Sequence, residues 1–288
     1  MKTLIVGAAG QLGRALRRTV PAGVEAVAFD RADLDITSGP AVAQTVNSLQ
    51  PDVVINASAY TAVDLAESEP EKAFAINADA VGRLAGVCAA AGIRFVHVST
   101  DFVFDGSLGR PYRPDDATHP LGVYGASKLA GEQNIATHTE LDWTVVRTAW
   151  VYANSGRNFV LTMLRLFNER PVVRVVADQV GTPTSALSLS ECVWGAATSG
   201  NLRGIAHFTD AGAASWYDFA VAIYEEATQL GLVRKSVDVQ PIQTKDYPTP
   251  ARRPSYSVLD VTATTAALGL IPVHWRTNLR QALRELRA

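Results

Sequence analysis

The sequence predicts an α/β fold in which a doubly wound, Rossmann-like parallel sheet is followed by a smaller, mixed α/β C-terminal domain. Three observations lead to this prediction. Short apolar runs alternate with helical segments over the first half of the chain, a glycine-rich turn follows the first run, and prolines punctuate the chain after about residue 150. Because the apolar runs lack regular polar alternation, they indicate strands that are buried on both faces.

Five apolar runs are the expected strands of the sheet, and helical segments separate them. The runs cover residues 3–6, 24–29, 52–56, 93–98 and 144–148. The expected helices cover about 12–20, a stretch that starts near Pro40, then 67–91 and 124–138. Gly92 directly follows the third helix and suits a C-terminal cap. Since ligands collect at the carboxyl ends of parallel strands, we expect a binding cleft at that edge of the sheet.

Beyond about residue 150 the alternation of strands and helices becomes irregular. We therefore expect a first domain over residues 1–170 and a second over 171–288, with a strand near 172–177 that could return to the first sheet. A smaller domain packed across the strand ends would enclose a ligand.

Charge and composition exclude several classes of protein. The 288 residues carry 26 basic and 28 acidic side chains, a net charge of −2, whereas a nucleic-acid binder needs a basic face. No apolar stretch approaches the roughly 18 residues of a membrane-spanning helix. The two cysteines, Cys88 and Cys192, are expected to be reduced core thiols in a cytoplasmic protein. The five histidines show no metal-ligand spacing, and we expect no metal site.

The turn after the first expected strand is Gly7-Ala8-Ala9-Gly10-Gln11-Leu12-Gly13. Glycine permits a positive φ in such a turn and lets backbone N–H groups approach a pyrophosphate. The helix that begins at Gln11 would direct its positive end at the phosphates. Asp30, which closes the second strand, can accept from an adenosine ribose hydroxyl, as in NAD(H) sites. Arg31 could instead contact a 2′-phosphate, so both NADPH and NADH are possible cofactors, and residues 1–170 form the dinucleotide-binding domain.

Tyr124 and Lys128 are four residues apart and would project from one face of a helix. A nearby ammonium favours the phenolate, so we expect Lys128 to lower the pKa of Tyr124 and to make it a usable proton shuttle. Thr100 ends the fourth expected strand, where its hydroxyl would point into the cleft and could bond a substrate oxygen.

Together these motifs resemble the extended short-chain dehydrogenase/reductase family over essentially the whole chain. Within that family, the resemblance to a subgroup of nucleotide-sugar reductases is the more specific. It rests on GAAGQLG at 7–13, NASAYTAVD at 56–64, ESEP at 67–70, STDFVFDG at 99–106, VYGASKLAGE at 123–132, RTAWVY at 147–152, DQVGTPT at 178–184 and YPTPARRP at 247–254.

The resemblance implies NAD(P)H-dependent reduction of the C4 ketone of dTDP-4-dehydro-L-rhamnose to dTDP-L-rhamnose. Tyr124 would donate the proton, Lys128 would bind the nicotinamide ribose and keep the pKa of Tyr124 low, and Thr100 would polarise the ketone. Further residues would line the cofactor, namely Gly10, Gln11, Leu12, Asp30, Ala59, Tyr60 and Thr61. Residues 171–288 would form the substrate-binding domain.

The sugar nucleotide would be contacted by Thr100, Asp101, Val63 and Trp150, according to the same resemblance. Trp150 suits the face of a sugar or a base. Arg253 could bind the diphosphate, because arginine makes bidentate phosphate contacts. A surface ion pair is the alternative role for Arg253.

Other activities in the family remain alternatives. Sugar-nucleotide 4,6-dehydratases carry Thr-Asp-Glu, and here Phe102 takes the position of the glutamate. A C4 epimerase stays open, as does a non-catalytic NADP-binding regulatory subunit of the methionine adenosyltransferase type. Some family members form dimers bridged by Mg²⁺ through glutamates, but the stretch 13–16 in the first helix has no acidic residue. We therefore expect a monomer or a weak homodimer, without metal, acting on a small-molecule substrate.

Overall fold

A computed structural model describes residues 1–287 of the chain. In those residues the strands are β1 Lys2–Val6, β2 Glu25–Phe29, β3 Val53–Asn56, β4 Arg94–Thr100, β5 Trp143–Thr148, β6 Val151–Tyr152, β7 Val172–Val176, β8 Val180–Gly181, β9 Thr184–Ser185, β10 Gly204–His207, β11 Ala214–Ser215 and β12 Asp238–Ile242. The helices are α1 Gln11–Arg18, α2 Gly39–Leu49, α3 Val63–Ala66, α4 Pro70–Phe74, α5 Ala80–Ala91, α6 Val123–Ala136, α7 Phe159–Glu169, α8 Ala186–Ser199, α9 Trp216–Gln229, α10 Thr262–Leu268 and α11 Trp275–Arg287.

The central sheet is parallel throughout, in the order β10-β5-β4-β3-β1-β2. Val6 at the end of β1 pairs with Phe29 on one side and Asn56 on the other, and Thr100 pairs with Thr148. The strands therefore end at one edge. The chain order reverses at β1 and β3, the kind of switch point where open α/β sheets bind ligands. The Rossmann-like fold class is confirmed.

The strands are apolar along their length because helices cover both faces of the sheet. On one face α2 and α5 pack against side chains such as Leu4, Val54 and Phe95, all completely buried. On the other face α1 and α8 pack against Ile5 and Val96 in a second apolar cluster. Burial on both faces explains why no polar alternation marks these strands in the sequence.

The strand expected near 172–177 is present as β7, but it does not return to the central sheet. It pairs in parallel with β12 in a separate two-stranded sheet. The sixth central strand is instead β10, which pairs with β5, and the helix before it, α8, covers the sheet. Residues 186–207, which contain α8 and β10, thus pack with the central sheet. The division of the chain into two domains at residue 170 stays a prediction.

The segment 67–91, expected as one helix, is divided between α4, a π-helix over Ala75–Asp79, and α5. Gly92 ends α5 with φ +65°, as expected for a C-terminal cap. The stretch Pro70–Ala91, with a mean hydropathy of 1.2, is long and apolar enough to cross a membrane by length and composition, contrary to the expectation from sequence. Since Val81 and Leu84 lie in the core beside the sheet, the structure accounts for it as a core helix.

Both cysteines are free and buried in the structure, as predicted. Burial raises the pKa of the Cys88 thiol to about 12 and raises that of Cys192 further.

A second apolar core lies between α7, α9, α11 and β7, and it includes the buried rings of Phe167, Phe219 and Trp275. Its boundary with the sheet layer is crossed by a bidentate ion pair from Arg18 in α1 to Glu285 in α11, at 2.7 and 2.8 Å. We refer to this core and the elements around it as the C-terminal lobe.

Candidate active site

The glycine turn joins β1 to α1 in a space that admits no side chains. Gly7 has φ +86°, and a Cβ there would lie 2.6 Å from the backbone nitrogen of Ser58. A Cβ on Gly13 would lie 2.2 Å from the carbonyl oxygen of Gly7. Gly10, the N-cap of α1, has an extended backbone with φ −68° and makes no side-chain capping bond. The first-turn amides of Gln11, Leu12 and Gly13 thus lack a side-chain cap and are oriented to receive an anion.

Asp30 and Arg31 lie beside this turn because the amides of Gly7 and Ala8 both donate to the carbonyl of Phe29, at 3.0 Å each. The Oδ1 atom of Asp30 accepts from the backbone nitrogen of Ala32 at 2.7 Å, so one carboxylate oxygen shapes the local turn. The side chain of Arg31 is exposed.

The loop after β3 carries Ala59, Tyr60 and Thr61, and a buried amide holds it in place. Asn77, in the π-helix, accepts from the backbone nitrogen of Tyr60 at 2.8 Å and donates to its carbonyl at 3.0 Å. The same amide donates to Ser127 Oγ at 3.0 Å, and that hydroxyl donates to the Tyr124 carbonyl at 2.8 Å. Asn77 therefore ties the predicted cofactor loop to α6.

Tyr124 stands in the first turn of α6, whose N-terminus is fixed by Glu67 Oε1 accepting from the Val123 amide at 2.8 Å. The phenol ring meets Phe102 edge to face, with centroids 5.5 Å apart. Burial raises the pKa of Tyr124 to about 12, a hydrogen bond with Thr100 lowers it, and the charge of Asp101 raises it. The phenol is therefore protonated at neutral pH.

Lys128 is buried one turn further along α6, and its ammonium is directed at β4. Its Nζ donates to the Val98 carbonyl at 2.7 Å and lies 3.0 Å from His97 Nε2. The expectation that Lys128 lowers the pKa of Tyr124 is therefore wrong for this structure, where burial is the largest influence on the phenol. Burial also lowers the pKa of Lys128, to about 8.

Thr100 and Asp101 lie where β4 ends, and both are buried. Thr100 Oγ1 accepts from the Phe102 amide at 3.2 Å and donates to Asp101 Oδ1 at 3.1 Å. Burial raises the pKa of Asp101 to about 6, against hydrogen bonds with Ser257 and Thr100 that lower it. Ser257 lies in the second half of the chain, and its amide donates to the carbonyl of Val180 in β8 at 2.8 Å, so Asp101 lies where the two parts of the chain meet.

Trp150 has an unusual backbone, with φ +48°. Its indole stacks on that of Trp216, with centroids 3.5 Å apart and planes within 6° of parallel. A Cβ on Gly181 would lie 2.6 Å from Trp150 Cε2. One indole face is thus covered by the C-terminal lobe, and only the remaining surface is available to a ligand.

Arg253, predicted as a diphosphate contact, makes an ion pair in this structure, the alternative that the sequence left open. Its Nη2 donates to Asp64 Oδ2 at 2.8 Å. Asp64 Oδ1 accepts from the Ala251 amide at 3.2 Å. Val63, the residue before Asp64, begins α3, so both predicted contacts lie at the junction of α3 and the loop 247–254.

The structure thus brings the glycine turn, the loop after β3, Thr100, Asp101, Tyr124 and Lys128 to one edge of the sheet. Over residues 1–287, no group of three or more His, Cys, Asp or Glu side chains is arranged to hold a metal ion. The expected independence from metal stays a prediction.

Four residues that order this edge were not predicted from the sequence, namely Asn77, His97, Ser127 and Trp216. Of these, only Asn77 and His97 could have been recognised in the sequence, because each is a polar residue within an otherwise apolar segment. Buried polar groups are rarely without a partner, so such an interruption indicates a tertiary hydrogen bond.

Comparison with known proteins gives one consistent result. The family model described as RmlD substrate binding domain matches residues 1–288. A dTDP-4-dehydrorhamnose reductase of Burkholderia thailandensis is 42% identical, with 99% of each chain covered. The crystal structure of a dTDP-4-dehydrorhamnose reductase from Clostridium acetobutylicum has a TM-score of 0.93 at 39% identity, with full coverage of both chains. That of the Bacillus anthracis reductase, in complex with NADP, has a TM-score of 0.92 at 34% identity and covers 99% of each chain.

Proposed function

The chain belongs to the RmlD substrate binding domain family, and from that membership we propose that it is a dTDP-4-dehydrorhamnose reductase. It reduces the C4 ketone of dTDP-4-dehydro-L-rhamnose to dTDP-L-rhamnose, the last step of dTDP-rhamnose biosynthesis. The observation that carries the proposal is the meeting of a protonated, partly buried phenol, Tyr124, with Thr100 at the edge of the sheet where the glycine turn lies.

The residues of the turn fit a dinucleotide cofactor, NADPH with NADH as an alternative. Side chains at Gly7 or Gly13 would fill the space against the backbone, and the uncapped first turn of α1 offers N–H groups to a diphosphate. Gly10, Gln11 and Leu12 would hold that diphosphate. Asp30 and Arg31 would face the adenosine ribose, and Ala59, Tyr60 and Thr61 would line the cofactor. When bound, the reduced nicotinamide supplies the hydride.

The phenol of Tyr124 supplies the proton for the reaction. Hydride addition at C4 converts the ketone to an alkoxide, and the phenolic O–H transfers its proton to that oxygen. A pKa of about 12 keeps the phenol protonated until a strongly basic alkoxide forms. Thr100 hydrogen-bonds the ketone oxygen when its hydroxyl hydrogen turns from Asp101 Oδ1 to the substrate, and the Lys128 ammonium binds the nicotinamide ribose.

The substrate lies between the sheet edge and the C-terminal lobe in this proposal. Asp101 and Val63 contact the sugar, and the uncovered surface of Trp150 contacts the nucleotide. Arg253 contacts the diphosphate with the part of its guanidinium that does not bond Asp64. Support comes from position, because these residues lie where the two parts of the chain meet.

We propose that the protein acts as a monomer or weak homodimer in the cytoplasm. In α1, Arg14 donates to Ser155 Oγ at 3.3 Å and Arg18 pairs with Glu285, so these side chains are engaged within the chain. The free buried thiols, Cys88 and Cys192, suit a reducing compartment.

The direct test follows the absorbance of NADPH with the purified protein and freshly generated dTDP-4-dehydro-L-rhamnose. We expect stoichiometric oxidation and formation of dTDP-L-rhamnose, at a rate that EDTA does not change. Other nucleotide-linked keto-sugars and NADH, run in parallel, measure specificity. Absence of oxidation together with tight binding to a methionine adenosyltransferase would contradict the proposal, and inhibition by EDTA that Mg²⁺ reverses would contradict metal independence.

A further inference from the structure

The Lys128 ammonium is buried against partners that carry no charge. Lys128 is 1% exposed, and its Nζ contacts the Val98 carbonyl at 2.7 Å and His97 Nε2 at 3.0 Å. Glu132, the carboxylate one turn further along α6, is instead bonded by Arg147, at 3.0 Å from Nε and 2.7 Å from Nη2. An ammonium has three donors. Two of them go to these neutral acceptors, and one is left for a ligand.

His97 is held as a neutral imidazole with a single tautomer. It is completely buried on β4, and burial together with the charge of Lys128 puts its pKa well below the ordinary range. A neutral imidazole has one acceptor nitrogen, and an ammonium can only donate. Nε2 is therefore the acceptor, and Nδ1 carries the hydrogen.

That hydrogen on Nδ1 has no hydrogen-bond partner among the described residues. A buried donor without a partner is unfavourable, and a phenylalanine or leucine would fill the same space without it. Phe95, two residues earlier on the same face of β4, is such an apolar residue, and its ring stacks on the imidazole with centroids 6.2 Å apart. The imidazole at position 97 thus costs stability, which its contact with Lys128 explains.

We propose that His97 is a positioning residue whose Nε2 lone pair fixes the direction of the Lys128 ammonium and leaves its third N–H for the cofactor ribose. The role of that third N–H rests on the proposed function. The His97–Lys128 contact does not rest on it, because both side chains belong to this chain. A lone pair directed at Nζ also favours the charged form of the lysine.

Lysine titration tests the contact without any ligand. The chain has five lysines, so carbon-13 labelling at lysine Cε gives a simple NMR spectrum, and the signal lost in Lys128→Arg identifies Lys128. His97→Gln places an amide oxygen near the position of Nε2, whereas the shorter His97→Asn does not reach Lys128. We expect a pKa of about 8 for Lys128 in the natural protein, a similar value in His97→Gln, and one lower by about one unit or more in His97→Asn.

Binding and turnover provide the second readout. In His97→Asn we expect the NADPH dissociation constant to rise and kcat/KM to fall, each by about tenfold, the size expected for a lost bond to a charged group. His97→Gln should restore both to within about threefold of the natural protein. Phe95→Leu serves as the packing control, since it removes a buried ring from the same strand without contacting Nζ. Tyr124, Glu132 and Arg147, the other ionisable groups around α6, are unchanged in every variant.

An unchanged Lys128 titration in His97→Asn would overturn the proposal. Equal effects of Phe95→Leu and His97→Asn on titration and binding would also overturn it, because they would assign the role of His97 to packing alone. A protein with no activity on the keto-sugar, but with the predicted titrations, would contradict the proposed function and leave the positioning role supported.

Discussion

Single residues at the sheet edge have protonation states that burial determines. Tyr124 is kept protonated by its desolvated surroundings, not released as a phenolate by Lys128. For a reduction this state is the productive one, since the phenol must give a proton to an alkoxide. The role of the YxxxK pair stays a prediction, and the structure places the Lys128 ammonium on β4 rather than on the phenol.

Tyr124→Phe removes the donated proton and keeps the ring that packs on Phe102. We expect kcat to fall by about 10²–10⁴-fold, the usual contribution of a positioned general acid. The dissociation constant of NADPH, measured by fluorescence, should stay unchanged. Turnover near that of the natural protein would show that another group is the acid.

Glu132 on α6 and Arg147 on β5 form a buried ion pair, with side-chain exposures of 3% and 5%. Glu132→Gln leaves the guanidinium buried without its counter-charge, so we expect a loss of about 3–5 kcal/mol in the free energy of unfolding. Chemical denaturation measures this. Glu169→Gln breaks the exposed pair with Arg165, on α7, and should cost less than about 1 kcal/mol. Equal losses in the two variants would contradict the importance of burial.

The sequence predicts single site residues where chemistry depends on local spacing, as for Gly7–Gly13 and Tyr124–Lys128. It does not predict Asn77 as a clamp on Tyr60, or His97 as the partner of Lys128. Those contacts join residues that are 17 and 31 positions apart. They form only once the sheet has set the distance between β4, the π-helix and α6.

At the scale of elements, the junction of β1 and α1 depends on the absence of side chains. Gly13→Ala would place a Cβ 2.2 Å from the Gly7 carbonyl oxygen, a backbone atom that cannot turn aside. We expect NADPH affinity to fall by at least about tenfold and thermal stability to fall with it, because the turn must open.

Gly39→Ala is the matched control for this substitution. Gly39 also starts a helix, but the nearest atom to its Cβ would be Arg83 Cδ, at an ordinary 3.6 Å. Stability should change by less than about 1 kcal/mol, because alanine restricts the unfolded chain but is disfavoured in a helical conformation before Pro40. Equal NADPH affinity in Gly13→Ala and the natural protein would show that the tight turn is not needed for binding.

The elements themselves follow the apolar pattern closely, and β1 to β5 lie within two residues of their expected limits. The π-helix over 75–79 was not predicted, since its sequence is as helical as that of its neighbours. It is a tertiary adaptation that turns Asn77 toward Tyr60 and Ser127.

For the whole molecule, ion pairs hold the C-terminal helix to the rest of the chain. Glu226 on α9 is 3% exposed and accepts from Arg276 and Arg280 of α11. Its hydrogen bonds with Arg280 and then Arg276 lower its pKa to about 2. The stability that it contributes is therefore present above the unfolded pKa and is lost as pH falls through the folded value.

Glu226→Gln should lower Tm by several degrees at pH 7. The difference from the natural protein should shrink as pH falls from about 4.5 toward 2, where the carboxylate becomes neutral in both states. Scanning calorimetry over this range measures it. Glu225→Gln, which removes the neighbouring exposed partner of Arg276, is the control and should show little effect at any pH. A constant difference for Glu226→Gln would contradict the ionic origin.

Overall topology was predictable only in its first half. The five early strands have regular helical crossovers, whereas β10 is a four-residue strand that joins β5 after a long excursion through 149–203. Nothing in Gly204–His207 distinguishes it from β7, whose stronger Val172–Val176 run pairs with β12. Pairing between such distant segments depends on packing rather than local pattern.

The distance along the chain between β5 and β10 also affects how the protein folds during its synthesis on the ribosome. Until residue 207 has left the ribosome, β5 stands at an open sheet edge with unpaired backbone groups, the kind of edge that other chains can join. The central sheet therefore cannot be completed before most of the second half of the chain is made. A fragment that stops at residue 170 would leave the free edge of β5 exposed. We therefore expect such a fragment to aggregate, whereas the whole chain covers this edge with β10.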